Sequence, residues 1–202
     1  MHVLARSLLI FLCISLCVFA QSPEASKLFP IPTRMDETWP DAALSASEKN
    51  LLRKAVEPDL SDLERYCEEK STFGSLHKTN IALGTLGTGV IVSTYGSCMC
   101  GATGNCAIYL YTREKDRYRE VLRNGKRIAY GFAFATVASK ADIPDLVLAA
   151  NGGGSEVSLT EYRYVGDKFV PQACETLTAD IGSGPKSWWD PNEVTVQPCE
   201  TH

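Results

Sequence analysis

The first part of the chain carries its apolar residues at helical spacing. Ser45 and Glu48 stand three residues apart, which is a capping-box pattern that begins a helix. An apolar stripe follows at the spacing of one helix face, formed by Leu51, Leu52, Ala55 and Val56. Pro58 is expected to end this helix, because proline breaks a helix interior. A second short helix is then expected to begin at Asp59 or Ser61.

From residue 76 onward, short β-branched and apolar runs replace the helical spacing. No helix-length insert separates them, so they predict about seven antiparallel strands. These runs lie at residues 81–83, 90–92, 107–111, 118–122, 128–137, 146–148 and 157–165. Glycine-rich segments at 84–89 and 152–154 are predicted to be turns between strands. The fold class is therefore mainly β (α+β), an antiparallel β-meander with a short N-terminal helical pair.

Residues 128–137 alternate large and small side chains. Tyr130, Phe132 and Phe134 fall on one face of a strand, and Gly131 and Ala133 fall on the other. Both faces are apolar, which predicts a single central strand that is covered on both sides.

The first twenty residues have the pattern of a secretory signal peptide. Arg6 precedes an apolar run of about a dozen residues, and Val18 and Ala20 stand at the −3 and −1 positions of a cleavage site. The run is short for a membrane span, which needs ~20 residues. We therefore expect a secreted or periplasmic protein with no membrane span after cleavage.

The rest of the chain divides into four predicted segments. Residues 21–40 are rich in proline and are expected to form an extended leader. Residues 41–70 form the helical segment, and residues 76–178 form the antiparallel β-domain. Residues 179–202 are a C-terminal tail, in which Trp188-Trp189 is either a ligand platform or a clamp over the core.

Six cysteines remain after residue 20, and an even number in an exported chain predicts disulfides rather than a metal site. They are Cys67, Cys98, Cys100, Cys106, Cys174 and Cys199. Cys98 and Cys100 are too close in sequence to pair comfortably. The first pairing we predict is Cys106–Cys174, with Cys67 and Cys199 each bonded to one of Cys98 and Cys100.

Composition and charge limit the classes of function that the chain can have. The chain has 202 residues, of which 45% are hydrophobic and 22% charged, as in a globular protein. With 20 basic and 24 acidic residues, the net charge is −4, which argues against nucleic-acid binding. After residue 20 the histidines are His77 and His202, and the G-x-S-x-G motif of serine hydrolases is missing. No catalytic set, cofactor or metal is therefore predicted, although carboxylates could converge in the fold, with Asp142, Asp145, Glu156 and Glu161 as candidates.

Two resemblances accompany these patterns. Residues 141–169 resemble a β-propeller blade unit of the FG-GAP/VCBS type, with an acidic turn, a D-L-V strand and a following hairpin. The D-x-D-x-D-G calcium ladder of that family is missing, and only Asp142 and Asp145 remain, so no calcium site is implied. Residues 104–174 are similar to small secreted bacterial proteins of unassigned function, which implies export and a β-meander but no activity.

One stretch concentrates positive charge. Residues 113–127 hold seven basic and three acidic side chains, whereas residues 34–69 hold five basic and ten acidic ones. The stretch is either a solubilising hairpin or a contact surface for an anionic extracytoplasmic polymer or protein. In the second case the expected contact residues are Arg117, Arg119, Arg123, Tyr109, Tyr111 and Tyr118.

The favoured function is a non-catalytic binding or inhibitor module; the alternatives are a secreted hydrolase and a structural envelope protein.

Overall fold

The structure is a computed structural model that describes residues 33–34, 41–64, 73–94, 100, 102–122, 128–179 and 194–198. In these residues one α-helix, α1, spans Ala46–Glu64. Short 3-10 turns lie at Phe73–Ser75 and Gly84–Leu86. The strands are β1 (Thr33–Arg34), β2 (His77–Ala82), β3 (Thr88–Ser93), β4 (Cys106–Glu114), β5 (Arg117–Glu120), β6 (Ala129–Gly131), β7 (Ala133–Val137), β8 (Asp145–Gly153), β9 (Glu156–Val165), β10 (Lys168–Ala179) and β11 (Val194–Pro198).

The strands form two antiparallel sheets. The six-stranded sheet has the order β1-β7-β8-β9-β10-β11, and the five-stranded sheet has the order β2-β3-β4-β5, with β6 also paired to β4. Successive strands are neighbours from β2 to β5 and from β7 to β11. The prediction of a mainly β fold built as an antiparallel meander is therefore confirmed.

The two sheets pack face to face, and α1 covers the other face of the five-stranded sheet. Between the sheets, Ile91 and Leu110 of one sheet share a core with Phe134 and Leu148 of the other. On the far side of the five-stranded sheet, a second core joins the helix to the strands, and it contains Leu52, Val56, Leu60, Val90, Val92, Tyr109 and Tyr111. Within the described parts of the chain, no helix combines the length and the apolar character that crossing a bilayer requires.

The prediction of two helices separated at Pro58 is wrong, because α1 continues through this proline. Leu52, Val56 and Leu60 are all buried at four-residue spacing on one face of the helix. Packing of this stripe against the sheet outweighs the ~3 kcal/mol that an interior proline costs. Tertiary packing has thus overridden the local stop signal.

The prediction of one strand over residues 128–137 is also wrong. The chain turns a corner at Phe132, so that β6 pairs with β4 in one sheet and β7 pairs with β8 in the other. At this corner Gly131 lies so close to β8 that a Cβ atom would stand 2.5 Å from the carbonyl oxygen of Ala149. Tyr130 is 44% exposed, so the aromatic side chains of Tyr130, Phe132 and Phe134 do not form one continuous buried face.

The two glycine-rich segments do connect strands as predicted. Gly84–Leu86 lies between β2 and β3, and Gly84 has a φ of +59°, beside the carbonyl of Asp142. The connection after Gly153 joins β8 to β9. Three strands lie outside the predicted runs: β1 in the segment predicted as a leader, β10, and β11 in the segment interpreted as a tail.

The predicted Cys106–Cys174 disulfide is wrong, because Cys106 is bonded to Cys100. Thr94 and Ala107 exchange hydrogen bonds of 3.0 and 2.9 Å, so the pairing of β3 with β4 continues to the residue after Cys106. The bonded cysteines are six residues apart in the sequence, and closing so short a loop costs less conformational entropy than joining residues on distant strands. The prediction that Cys100 bonds to Cys67 or Cys199 is wrong for the same reason. Cys67, Cys98 and Cys199 lie outside the described residues.

Candidate binding surface

The beginning of the basic stretch, residues 113–117, forms the tip of a hairpin between β4 and β5. Glu114 and Arg117 are directly paired, so Lys115 and Asp116 are the two residues of the turn. The neighbouring strand β3 pairs with β4 only as far as Thr112, and the tip therefore extends beyond the paired part of these two strands. Lys115 has a φ of +41°, in the left-handed region that a lysine rarely adopts.

Three cations are exposed at this tip, namely Arg113, Lys115 and Arg117, and we call them the cationic tip. The guanidinium of Arg113 stands 5.5 Å from the ring centroid of Tyr118, a cation–π distance that orients its side chain. Arg117 donates a 3.0 Å hydrogen bond to Glu114, although 72% of its side chain is exposed. Arg113 and Lys115 were counted in the basic stretch but not among the expected contact residues.

Arg119 has a different role from the one expected. Its guanidinium donates hydrogen bonds to the Glu114 carboxylate and to the main-chain carbonyl of Asp167, in the turn between β9 and β10. A hydrogen bond with Tyr164 raises the pKa of Arg119, and the bond from Arg119 lowers the pKa of Glu114. Through these contacts Arg119 links the two sheets, which is a structural role rather than the predicted role in partner binding.

The three tyrosines expected at the contact surface are buried. Tyr109 and Tyr111 are fully covered and pack in the core beneath α1, with their ring centroids 6.2 Å apart. Alternation along β4 puts these odd-numbered positions on the face that the helix covers. Tyr118 lies in the same core, and burial raises its pKa. Arg123, Trp188 and Trp189 lie outside the described residues.

Two of the four candidate carboxylates come together on the six-stranded sheet. Asp145 on β8 is buried and accepts hydrogen bonds of 3.3–3.4 Å from Arg163 on β9. Glu161 lies 3.6 Å from Arg163 Nη2, and its pKa is raised by burial and by the charge of Asp145. The candidates Asp142 and Glu156 are exposed; one lies in the loop before β8, and the other opens β9 at the opposite end of that strand pair.

The arrangement of Asp145, Glu161 and Arg163 places a carboxyl with a raised pKa beside a carboxylate held by a guanidinium. Such pairs can divide the work of acid and base between two carboxyl groups. Arg163 can also act structurally, because it offsets charge on both acids. The pattern in the sequence did not single out Asp145 and Glu161, since only the pairing of β8 with β9 makes them neighbours.

His77 lies at the start of β2 between two polar side chains. Its Nε2 is 3.1 Å from the Thr79 hydroxyl, and its Nδ1 is 3.9 Å from the Asp41 carboxylate. The second distance is too long for a hydrogen bond, and Asp41 is 71% exposed while Thr79 is buried. The hydroxyl that would act as the nucleophile, that of Thr79, is therefore buried, whereas a nucleophile must be accessible to the substrate.

Comparison with known protein families, curated proteins and solved structures found no match for this chain. Any functional conclusion therefore rests on the side chains of this protein alone.

Proposed function

We propose that this protein is an exported, non-catalytic binding module whose cationic tip contacts an anionic polymer or protein outside the cytoplasm. The observation that carries the proposal is that Arg113, Lys115 and Arg117 are all exposed and lie together at the end of the hairpin, beyond the last pair between β3 and β4. The positive φ of Lys115 is the conformation that a two-residue hairpin turn requires, so the turn places this lysine at the outermost point of the hairpin.

The expected interaction is modest and sensitive to salt. Glu114 and Asp116 lie among the three cations, so the positive charge of the tip is partly offset. Exposed ion pairs contribute roughly 0.2–1 kcal/mol each, and salt screens them. Because the screening length falls from ~30 Å at 0.01 M salt to ~8 Å at physiological ionic strength, binding should weaken over this range.

Export rests on two observations. Residues 1–20 have the pattern of a signal peptide. The Cys100–Cys106 disulfide fits an oxidising compartment, where such bonds persist.

Charge reversal of the tip tests the binding function. The variant carries Arg113→Glu, Lys115→Glu and Arg117→Glu, and the probes are bead-bound polyglutamate and alginate, a peptide and a sugar polymer that both carry carboxylates. We expect wild type to bind at low salt and the variant to lose roughly tenfold or more in affinity. The two probes distinguish an acidic protein from an acidic glycan as the preferred partner.

A control variant separates a local site from net charge. Lys49→Glu, Lys54→Glu and Lys140→Glu change the net charge by the same amount at exposed positions on α1 and before β8. This control should retain most of the binding. Equal losses in both variants, or no binding by wild type, would overturn the proposal.

The convergence of Asp145 and Glu161 favours a second candidate, a hydrolase with Glu161 as general acid. The raised pKa of Glu161 supports this role, and Asp145 is the carboxyl group beside it. The test is hydrolysis of a panel of chromogenic glycosides, esters and peptides by wild type and by Glu161→Gln, with Glu156→Gln as the control. Turnover that is lost only in Glu161→Gln would support this candidate, and a panel with no turnover by wild type would remove it.

A further inference from the structure

The described pairing of the last two strands ends one residue short of Cys174. β10 and β11 pair over five residues, from Ala179 opposite Val194 to Glu175 opposite Pro198. In an antiparallel pair, one index rises by one as the other falls by one. Continued by one position beyond the described pairs, this register would set residue 199, which is a cysteine, opposite Cys174.

Cys174 is already engaged in a disulfide. Its partner is neither Cys100 nor Cys106, because these two are bonded to each other, and it therefore lies outside the described residues. On the β9 side, Cys174 faces Thr160, and its sulfur is 3.8 Å from the Thr160 hydroxyl. Its side chain thus stands on the face of the sheet that it shares with its directly opposite neighbours.

Distances between directly opposite residues suit a disulfide. Their Cα atoms are typically ~4.5–5.5 Å apart in an antiparallel pair. Disulfide-bonded cysteines usually have Cα atoms ~4.4–6.8 Å apart, so neither strand would need to move.

We propose that Cys174 and Cys199 form a disulfide that attaches the edge strand β11 to β10. Two thiols lose two protons and two electrons as the S–S bond forms. A disulfide-bearing thiol oxidoreductase of the extracytoplasmic compartment accepts the electrons, and its own disulfide is reduced to two thiols. Exchange proceeds through a mixed disulfide between the oxidoreductase and one of the two cysteines.

The bond would close the loop of residues 175–198, which includes all of β11 and the connection that precedes it. Closing such a loop removes conformational freedom from the unfolded chain. The edge strand would then stay paired even when its hydrogen bonds open transiently. Loss of the bond is expected to lower the melting temperature by roughly 10 °C.

Tryptic digestion of the full exported chain, alkylated under acid without reduction, tests the proposal directly. Trypsin cuts after Lys168 and Lys186, so Cys174 falls in the peptide 169–186 and Cys199 in the peptide 187–202. The expected result is a species with the summed mass of these two peptides, which separates on reduction. Cys67 and Cys98 would then be left to pair, linking the peptides 66–70 and 79–113.

A different linkage would overturn the proposal. If peptide 169–186 is bonded to 79–113 or 66–70, or is found alkylated, Cys174 and Cys199 are not partners. As a second measurement, Cys174→Ser, Cys199→Ser and the double variant should all melt at the same lowered temperature. A further loss in the double variant would show that the two cysteines act independently.

Discussion

The guanidinium of Arg119, on β5, donates a hydrogen bond to the main-chain carbonyl of Asp167 in the turn of the other sheet. The same guanidinium binds Glu114. Close by, the amide of Phe169 donates a 2.5 Å hydrogen bond to the carbonyl of Val121, so this end of the two sheets is joined by side chain and main chain together.

Replacing Arg119 by leucine should therefore destabilise the fold. Hydrogen bonds made by a charged donor contribute about 1.5–3 kcal/mol, and part of this is recovered by hydration of the released groups. We expect a loss of about 1–2 kcal/mol in the free energy of unfolding, measured by urea denaturation. Arg117→Leu is the matched control and should change stability by less than about 0.5 kcal/mol, because its side chain is largely exposed. A larger effect at Arg117 than at Arg119 would contradict the assignment.

Glu161 should make the stability of the fold depend on pH. Burial and the charge of Asp145 raise its pKa above the ordinary value of 4.5, so the folded chain binds this proton more tightly than the unfolded chain. Its stabilising contribution is present below pH 4.5 and is lost as the pH rises through the raised pKa. Substitution by glutamine, which stays neutral, should remove this loss.

The measurement is the free energy of unfolding of wild type and Glu161→Gln at pH 4 and pH 7. The variant should gain stability relative to wild type on going to pH 7, by about 1 kcal/mol or less. Glu156→Gln, at an exposed position on the same strand, provides the control. The same pH dependence in both variants would show that Glu161 is not the responsible group.

The spacing of apolar residues along the sequence was enough to predict much of the fold. Alternation and β-branched runs located the strands, because their period of two reflects the backbone geometry itself. The glycine-rich turns followed from residue type. Neither signal reports which sheet a strand joins, so the crossing between sheets at Phe132 was missed.

The candidate surface was harder to predict for a related reason. Tyr109 and Tyr111 alternate with Ile108 and Leu110, and both faces of β4 are therefore apolar or aromatic. Alternation shows which residues share a face but not what covers that face, and here α1 covers the tyrosines. The contact between Arg119 and Asp167 joins residues 48 positions apart and depends on how the two sheets pack.

Gly131 should not tolerate a side chain at the corner between the sheets. A Cβ atom there would lie 2.5 Å from the Ala149 carbonyl oxygen and 2.8 Å from a Leu148 methyl group. Because the first contact is with main chain, β8 would have to move, and Gly131→Ala should cost about 1–3 kcal/mol. Gly152→Ala is the control, since its nearest contact is 3.3 Å, to the Glu156 side chain. Equal melting temperatures for the two variants would contradict the close approach at Gly131.

Pro58 should be a source of instability inside α1. It lacks the N–H that would bond the carbonyl of Lys54, and its exposed ring leaves no packing to lose on substitution. Alanine restores the hydrogen bond but returns freedom to the unfolded chain, so Pro58→Ala should stabilise the fold by about 1–2 kcal/mol. Leu60→Ala, two residues later on the buried face, should instead cost about 2–5 kcal/mol. If Leu60→Ala has no effect in urea denaturation, the helix does not pack against the sheet beyond Pro58.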